Sequence, residues 1–467
     1  MKTLLLFIGF TLHALSSYSQ QQFNNWYFGY FAGITFNTNP PSALPNSAMW
    51  ANEGSATISD NNGMLLFYTN GMEIWDRNHM LMPNGTGLNG SLTCTQSALV
   101  IPKPGASGIY YVFTPPDQFS SAGPFCYSIV DMSLNNGFGD ITNKNTPLFF
   151  SSTEKVTAMP HANGTDIWVI GHGYSNADFY AFQLTASGIL PLPVISTAGT
   201  PQNGTMEQTL GTMKASPCGD KIALVVHSSY LELFDFDQFT GIVSNPVRLT
   251  TCTSLNAWGL YSAEFSPDGT KLYSVEEHPS VVVQFDLMAG NTTAVIASAD
   301  TIVYRMWHYF GALQNGPDGK MYISRFNTAP NFISCINNPN NLGSACNFID
   351  TAMVINQFAT HGLPYIMSSF FCSSGHTGYI ENYSILEVEI TPNPTNGNIK
   401  ISFTPQSDDN TIIDISDAFG RIVYTETHQV SPTFTEIKMN LEKFNTGMYF
   451  VKINLGNLKT VKKIIKY

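Results

Sequence analysis

Polar and ionisable residues recur at a fixed distance after a series of glycines in the first 330 residues. These glycines are Gly63, Gly108, Gly164, Gly219, Gly269 and Gly319. Seven to nine residues after five of them come Asn70, His172, His227, Glu277 with His278, and Asn327, and Arg325 lies just before the last. Amide, imidazole, carboxylate and guanidinium groups recognise polar ligands by hydrogen bonds and charge. The common spacing predicts that folding brings these side chains to equivalent places around one ligand.

The same residues do not assemble a recognisable catalytic set. The sequence has no Gly-x-Ser-x-Gly nucleophile elbow and no His-x-x-x-His metal spacing. We therefore predict neither a metal nor a cofactor, and binding is favoured over catalysis. Two alternatives stay open. These residues are polar only because they lie in exposed turns, which are polar in any fold, or they belong to the site of a hydrolase or lyase.

Composition indicates an all-β protein. Charged residues make up 12% of the 467 residues, about half the usual share, while aromatic residues reach 13%. Such a chain favours strands and turns over helices. The net charge of −12 argues against nucleic acid as a partner, because phosphate contacts need lysine and arginine clusters. Residues 1–385 hold 12 bases and 24 acids and residues 386–467 hold 9 of each, which places a domain boundary near residue 385.

The turn glycines also define a repeat. Their spacings are 45, 56, 55, 50 and 50 residues, and each is followed by a short β run such as Leu272–Val275. A period near 50 with about four strands is typical of a β-propeller blade. Turns such as Ser266–Gly269 resemble the WD, TolB-like and lactonase-like repeats over residues 22–380. On that fold the recurring polar residues would converge at one mouth of the central channel.

Six turns are visible, and a seventh blade can be assembled from the two ends of this region. Residues 26–37 look like the later strands of a blade that lacks its first strand, and Leu363–Phe371 offers the missing strand. Ring closure of this kind leaves no free sheet edge. We predict seven blades, with six or eight as alternatives. Among the tryptophans, Trp258 and Trp307 are the better candidates for exposure and stacking on sugars.

The N-terminus and the cysteines point to an exported protein. Residues 1–19 read as a signal peptide, with Lys2, an apolar run and small residues before Gln20. No later apolar run is long enough to span a membrane. Among seven dispersed cysteines, Cys335 and Cys346 are the candidate disulfide.

The last 80 residues change pattern. About seven short alternating runs predict a small immunoglobulin-like β-sandwich over residues 386–467. Four blocks within it resemble the type A sorting domain of type IX secretion. They contain Pro392, Asn393, Pro394, Asn396 and Gly397; Gly420 and Arg421; Gly447 and Tyr449; Lys462 and Lys463.

This resemblance implies a route and a partner. The type IX secretion machinery would recognise the C-terminal domain and carry the propeller across the outer membrane. The product would be secreted or attached to the outer cell surface, as a binding or adhesion module for a glycan or protein. A structural part of the surface or gliding apparatus is a further alternative.

Overall fold

The structure is a computed structural model that describes residues 20–117, 123–202, 205–251, 259–326, 331–355, 357–371, 388–405, 409–417, 422–455 and 458–467. Cα packing divides the chain into two compact units, residues 1–373 and 374–467. Strands dominate both units, so the predicted all-β class is confirmed. In the described ranges no helix is both long and apolar enough to cross a lipid bilayer.

The first unit is a series of antiparallel meanders, in which consecutive strands within a sheet pair with each other, apart from one exception in the fourth sheet. The opening sheet has three strands: β1 (Asn25–Phe28), β2 (Ala32–Thr35) and β3 (Ser42–Ala43). The second sheet contains β4 (Ala56–Ser59), β5 (Leu65–Thr69), β6 (Glu73–Asp76) and β7 (Leu81–Thr86). The third contains β8 (Leu99–Pro102), β9 (Ile109–Thr114), β10 (Pro124–Asp131) and β11 (Asp140–Phe150). The fourth contains β12 (Ser152–Pro160), β13 (Ile167–Gly173), β14 (Asp178–Thr185), β15 (Gly188–Ile189) and β16 (Val194–Thr197), the last two both pairing with β14.

Three further sheets complete this unit. The fifth contains β17 (Met213–Ala215), β18 (Lys221–Val226), β19 (Tyr230–Asp237) and β20 (Ile242–Thr251). The sixth contains β21 (Leu260–Phe265), β22 (Lys271–Glu276), β23 (Ser280–Asp286) and β24 (Asp300–Arg305), with helix α1 (Thr292–Ala297) before β24. The seventh contains β25 (Phe310–Asn315), β26 (Met321–Arg325), β27 (Phe332–Ile336) and β28 (Phe348–Val354). Short 3₁₀ helices cover Gln20–Phe23, Asn135–Gly137, Met206–Thr209, Gly343–Cys346 and Ser368–Phe371.

Buried apolar side chains pack between neighbouring sheets, as the blades of a β-propeller require. Met159 and Trp168 of the fourth sheet share a core with Leu224 of the fifth. The first and seventh sheets meet in the same way, because the rings of Trp26 and Tyr322 lie 5.6 Å apart in one buried cluster. The sheets therefore form a closed ring. The opening sheet lacks a regular fourth strand, so the count of seven blades stays a prediction.

The segment Leu363–Phe371, which was expected to add a strand to the opening sheet, does not join that sheet. Phe358 forms an antiparallel bridge with Tyr30, which brings the two ends of the ring together. Leu363–Phe371 is not a strand, however, and it forms a parallel bridge between Pro364 and Ser55. The Tyr365 hydroxyl donates to the Met213 carbonyl at 3.1 Å and lies 2.8 Å from the Thr157 hydroxyl. The segment thus fills the centre of the ring instead of extending one sheet.

The second unit is a sandwich of two antiparallel sheets. One contains β29 (Glu389–Thr391), β30 (Asn398–Phe403) and β33 (Thr435–Asn440). The other contains β31 (Asp409–Asp417), β32 (Ile422–Val430), β34 (Gly447–Leu455) and β35 (Leu458–Lys466), in the order β32-β31-β34-β35. Ile401, Ile413 and Val451 are among the alternating apolar residues that form its core. This is the small β-sandwich expected from the sequence.

The disulfide predicted between Cys335 and Cys346 is not formed in the structure. Cys335 and Cys346 are both buried free thiols. Cys335 packs in the cluster that contains Trp26, whereas Cys346 packs in the cluster that contains Val275. The two thiols therefore pack in different interfaces of the seventh sheet and are not bonded to each other.

Candidate functional site

Two of the residues expected at the mouth of the ring contact each other in the structure. Glu277 follows β22 and His227 follows β18, and Glu277 Oε2 lies 3.2 Å from His227 Nε2. The other oxygen, Oε1, lies 3.6 Å from Nε2 of His361 and has no hydrogen-bond partner within the described part of the chain. The Glu277 side chain is only 2% exposed, while those of His227 and His361 are 11% and 26% exposed. A buried carboxylate thus lies beneath two partly exposed imidazoles.

Glu53 and Tyr261 extend this group. The Tyr261 hydroxyl donates to Glu53 Oε2 at 2.9 Å. Burial, followed by the negative charges of Glu154 and Glu277, raises the pKa of Glu53 well above its usual value. Burial and the nearby Glu53 carboxyl likewise raise the pKa of Tyr261. We call Glu53, His227, Tyr261, Glu277 and His361 the mouth cluster.

Three members of the mouth cluster were missed in the sequence. Tyr261 lies in a first strand, Glu53 comes just before one, and His361 lies two residues before Leu363–Phe371. These positions reach the same end of a blade as the end of a second strand, because the two strands are antiparallel. A signal was present: Glu53 and Glu154 each lie ten residues before a turn glycine, Gly63 and Gly164.

Aromatic rings surround the mouth cluster. The ring of Phe326 packs on that of His361, with centroids 3.5 Å apart. On another side Trp50 stacks on Tyr30 at 4.0 Å, and the Trp50 side chain is 46% exposed. Asn52 accepts hydrogen bonds from both of these rings and its carbonyl accepts one from the His361 backbone N–H. An exposed indole face therefore lies beside the polar groups.

Arg325 belongs to a second group. Its Nη1 donates to the Asp350 carbonyl at 3.0 Å and lies 3.5 Å from Asp350 Oδ1. Arg305 Nε lies 3.8 Å from Asp350 Oδ2, and His308 Nδ1 lies 3.4 Å from Oδ1. Burial and the charge of Arg325 lower the pKa of His308. We call Arg305, His308, Arg325 and Asp350 the arginine cluster.

The remaining predicted residues have other environments. Asn70 is buried, and its amide oxygen accepts from the backbone N–H groups of Met72 and Glu73. His172 is buried as well, with Nδ1 2.8 Å from the Gly173 carbonyl. The ring of His278 stacks on Tyr309 at 4.7 Å. Asn327 lies outside the described residues.

The tryptophans divide in a similar way. Trp307 is 81% exposed, as expected, while Trp75 and Trp168 are core residues. Trp258 lies outside the described residues. In the part of the chain that the structure describes, no group of three or more histidine, cysteine, aspartate or glutamate side chains could hold a metal ion.

Several of the sorting residues lie in the entry turn or in the last two strands of the second unit. Asn393 joins the entry turn to the last strand, since its amide donates to the Lys463 carbonyl at 2.7 Å and accepts from the Ile465 N–H at 3.0 Å. The backbone of Thr395, between Pro394 and Asn396, bridges to Lys466. Gly397 has φ +143°, and the Tyr449 hydroxyl near Gly447 donates to the Asn445 carbonyl. Lys462 and Lys463 are exposed, Pro392 lies in the entry turn, and Gly420 and Arg421 lie outside the described residues.

Comparison with known families identifies this second unit. Residues 389–467 match the family described as the secretion system C-terminal sorting domain. The resemblance noted in the sequence is thereby confirmed, and the match implies export through the type IX secretion system.

Solved structures that are similar to the chain are propeller-like. A protein of Bacteroides fragilis provisionally assigned as a 6-phosphogluconolactonase is 13% identical, with 73% of this chain and 97% of that chain covered and a TM-score of 0.45. A Bacteroides uniformis protein with the same provisional assignment is 13% identical, with 89% and 100% covered and a TM-score of 0.38. The β-propeller domain of Cps50 (Swd1) from Myceliophteria thermophila is 8% identical, with 66% and 94% covered and a TM-score of 0.40. No curated protein matches the chain in sequence. These likenesses transfer no activity to the chain.

Proposed function

We propose that the chain is an exported binding protein whose propeller recognises a polar ligand at the mouth cluster. The observation that carries this proposal is the Glu277 carboxylate. One of its oxygens is buried without a hydrogen bond to any described residue, and the carboxylate lies within 4 Å of two partly exposed histidines. A buried carboxylate oxygen that lacks a donor costs free energy, and a ligand hydroxyl or amine would supply that donor.

The surroundings favour a ligand with both polar groups and a flat apolar face. Trp50 offers an exposed indole beside the hydrogen-bonding groups, a combination that suits a saccharide. Tyr365 and its neighbours close the ring beneath, so a ligand would bind at the surface and not pass through the centre. The signal peptide over residues 1–19 and the sorting domain would place this surface outside the cell.

The proposal is tested by ligand screening with a matched pair of variants. The full-length chain would be applied to a panel of defined oligosaccharides and peptides, and hits would be measured by calorimetry. Glu277→Gln is expected to weaken binding about 10-fold or more, since a hydrogen bond to a charged group contributes about 1.5–3 kcal/mol. Glu276→Gln changes the same charge one residue away and is expected to leave affinity unchanged. Equal behaviour of the two variants would reject the mouth cluster as the binding site.

A second candidate, a hydrolase or lyase, is favoured by one observation. Glu53 and Glu277 have different environments, and the raised pKa of Glu53 favours its protonated form. Carboxyl groups in contrasting environments are a common basis for acid and base roles. Incubation of each bound oligosaccharide with the protein, followed by mass spectrometry, separates the two functions. Cleavage that Glu277→Gln abolishes while binding persists would establish an enzyme.

A further inference from the structure

The arginine cluster has more positive charge than its surroundings neutralise. Arg305 and Arg325 are two of only four arginines in the first 385 residues. Both lie within 4 Å of Asp350. Among the described residues, Asp350 is the one carboxylate whose charge acts on the pKa of Arg325. His308 is the third group within 4 Å of this carboxylate, and burial together with Arg325 lowers its pKa. Two guanidinium groups sharing one carboxylate leave about one positive charge unbalanced in a protein of net charge −12.

Arg325 also has an unused donor. Its side chain is only 5% exposed, and its Nε–H has no hydrogen-bond partner among the residues that the structure describes. Native proteins pair nearly all of their buried polar groups, and an unpaired donor on a charged group is particularly costly. An anion seated beside Arg325 would accept this hydrogen bond. Guanidinium groups suit planar carboxylates because the two can form paired hydrogen bonds.

The exposed apolar side chains next to the arginine cluster indicate that the ligand also has a flat face. Trp307 lies between Arg305 and His308 in the sequence and is 81% exposed. Tyr304 and Met306 are exposed on the same stretch of chain. Several exposed apolar side chains on one stretch of chain can mark an interaction site, and an indole face stacks well on a sugar ring.

The arginine cluster adjoins the mouth cluster. Arg325 is followed by Phe326, whose ring packs on His361, and His361 in turn lies 3.6 Å from Glu277 Oε1. His308 is followed by Tyr309, whose carbonyl accepts a hydrogen bond from the Phe326 N–H. A short oligomer could therefore place one unit over Glu277 and the next over the two arginines.

We infer that the arginine cluster binds the carboxylate of an acidic sugar unit, with Trp307 stacking on its ring. This inference rests on the proposed function, because the same ligand would extend from the mouth cluster. The net charge of −12 disfavours long polyanions by general repulsion, so a short oligosaccharide with few carboxylates fits best.

The test is a set of calorimetric titrations of the full-length chain with trigalacturonate. Arg305→Ala is expected to weaken binding about 10- to 100-fold, and Arg305→Lys to recover only part of that loss. Trp307→Ala should weaken binding about 10-fold. The control is Lys320→Ala, which removes a partly exposed cation from the Gly316–Gly319 turn, in the same sheet but beyond the other end of β26. Its affinity should equal that of the wild type.

Three comparison ligands give the test its specificity. Fully methyl-esterified trigalacturonate should bind the wild type as weakly as the acid binds Arg305→Ala, and Arg305→Ala should not weaken it further. A sulfated trisaccharide or hexaglutamate that binds as tightly as trigalacturonate would overturn the assignment to a carboxylate sugar. An ester that binds as tightly as the acid would overturn the anion site itself.

The result also separates this inference from the proposed function. A neutral oligosaccharide that binds in a Glu277-dependent manner, with Arg305→Ala without effect on any ligand, would reject the arginine cluster and leave the mouth cluster standing. Trigalacturonate binding that depends on Arg305 but is unchanged in Glu277→Gln would reject the mouth cluster instead, and the anion site would then stand alone.

Discussion

At the scale of single residues, His172 shows how burial of an ionisable side chain makes the stability of the fold depend on pH. Its Nδ1 donates to the Gly173 carbonyl, and Nε2 lies 3.4 Å from the Gln202 amide nitrogen, an arrangement that suits the neutral imidazole. Burial, helped by the positive charge of Lys155, lowers the pKa of His172 to about 3. The unfolded chain would protonate this ring near pH 6.5. Acid therefore favours the unfolded state.

We predict a specific pH dependence from this residue. Between pH 6.5 and about 3 the unfolded state binds one proton more than the folded state, so the free energy of unfolding falls as pH falls. The contribution of His172 is about 1.4 kcal/mol per pH unit. Denaturant titrations of the wild type and His172→Gln at several pH values would measure it, since all other groups cancel in the difference. Parallel stability curves for the two proteins would contradict the prediction.

The same residue shows what sequence spacing can and cannot predict. Alignment on the turn glycines correctly brought Glu277 and His227 together, because equivalent hairpins place equivalent positions at one end of the ring. Asn70 and His172 have nearly the same spacing, but their side chains contact backbone groups one to three residues away instead of side chains of other blades. Spacing fixes the position along a blade, whereas the partners of a side chain depend on which neighbouring segment covers it. Gln202, next to His172, comes from a connection that has no repeat signature.

At the scale of elements, the turn glycines are the part of the fold that the sequence specifies most directly. All six have φ between +71° and +78°, the left-handed region in which glycine is favoured. Gly319 is the clearest case for an experiment, because a Cβ built on it would meet nothing within 4 Å. A substitution there changes backbone strain without creating a clash.

Gly319→Ala is accordingly predicted to destabilise the propeller by about 1–2 kcal/mol, the cost of holding an L-residue in this region. Gly319→Asn should cost less, since asparagine tolerates positive φ better than alanine. The guanidinium midpoint of each variant measures the order Gly, then Asn, then Ala. An alanine variant as stable as the wild type would show that the turn relaxes to another conformation.

The closing segment is the element that could not be predicted correctly. An apolar run such as Leu363–Phe371 is compatible with a strand or with an irregular buried segment, and periodicity does not separate the two. The deciding contacts are distant in sequence: Thr157 and Met213 near the Tyr365 hydroxyl, and Lys214, whose Nζ lies 4.3 Å from the Tyr365 ring centroid. Lys214 is itself paired with Glu264 from the next sheet at 2.9 Å. The polar centre of the ring selects this conformation.

At the scale of the whole molecule, the charge distribution separates the propeller unit from the sorting unit. All of the net charge of −12 lies in the first 385 residues, and the remaining residues carry equal numbers of acids and bases. Within the second unit, Lys462 and Lys463 are exposed on the strand that Asn393 fastens to the entry turn. A folded module with an exposed basic strand can be recognised by a receptor independently of its cargo.

Passage from the periplasm across the outer membrane should therefore depend on the second unit. In the bacterium that produces the protein, the full-length gene should yield an extracellular or surface product lacking residues 1–19 and roughly the last 80. A chain that stops before Glu387 should accumulate in the periplasm with its ligand binding intact.

Charge reversal at Lys462 and Lys463 should reduce export, whereas Lys443→Glu, at another exposed lysine of the same unit, should not. Intact mass and cell fractionation measure all four products. Equal export of the truncated chain would mean that the sandwich has another role, such as binding, because the propeller would then carry its own export information.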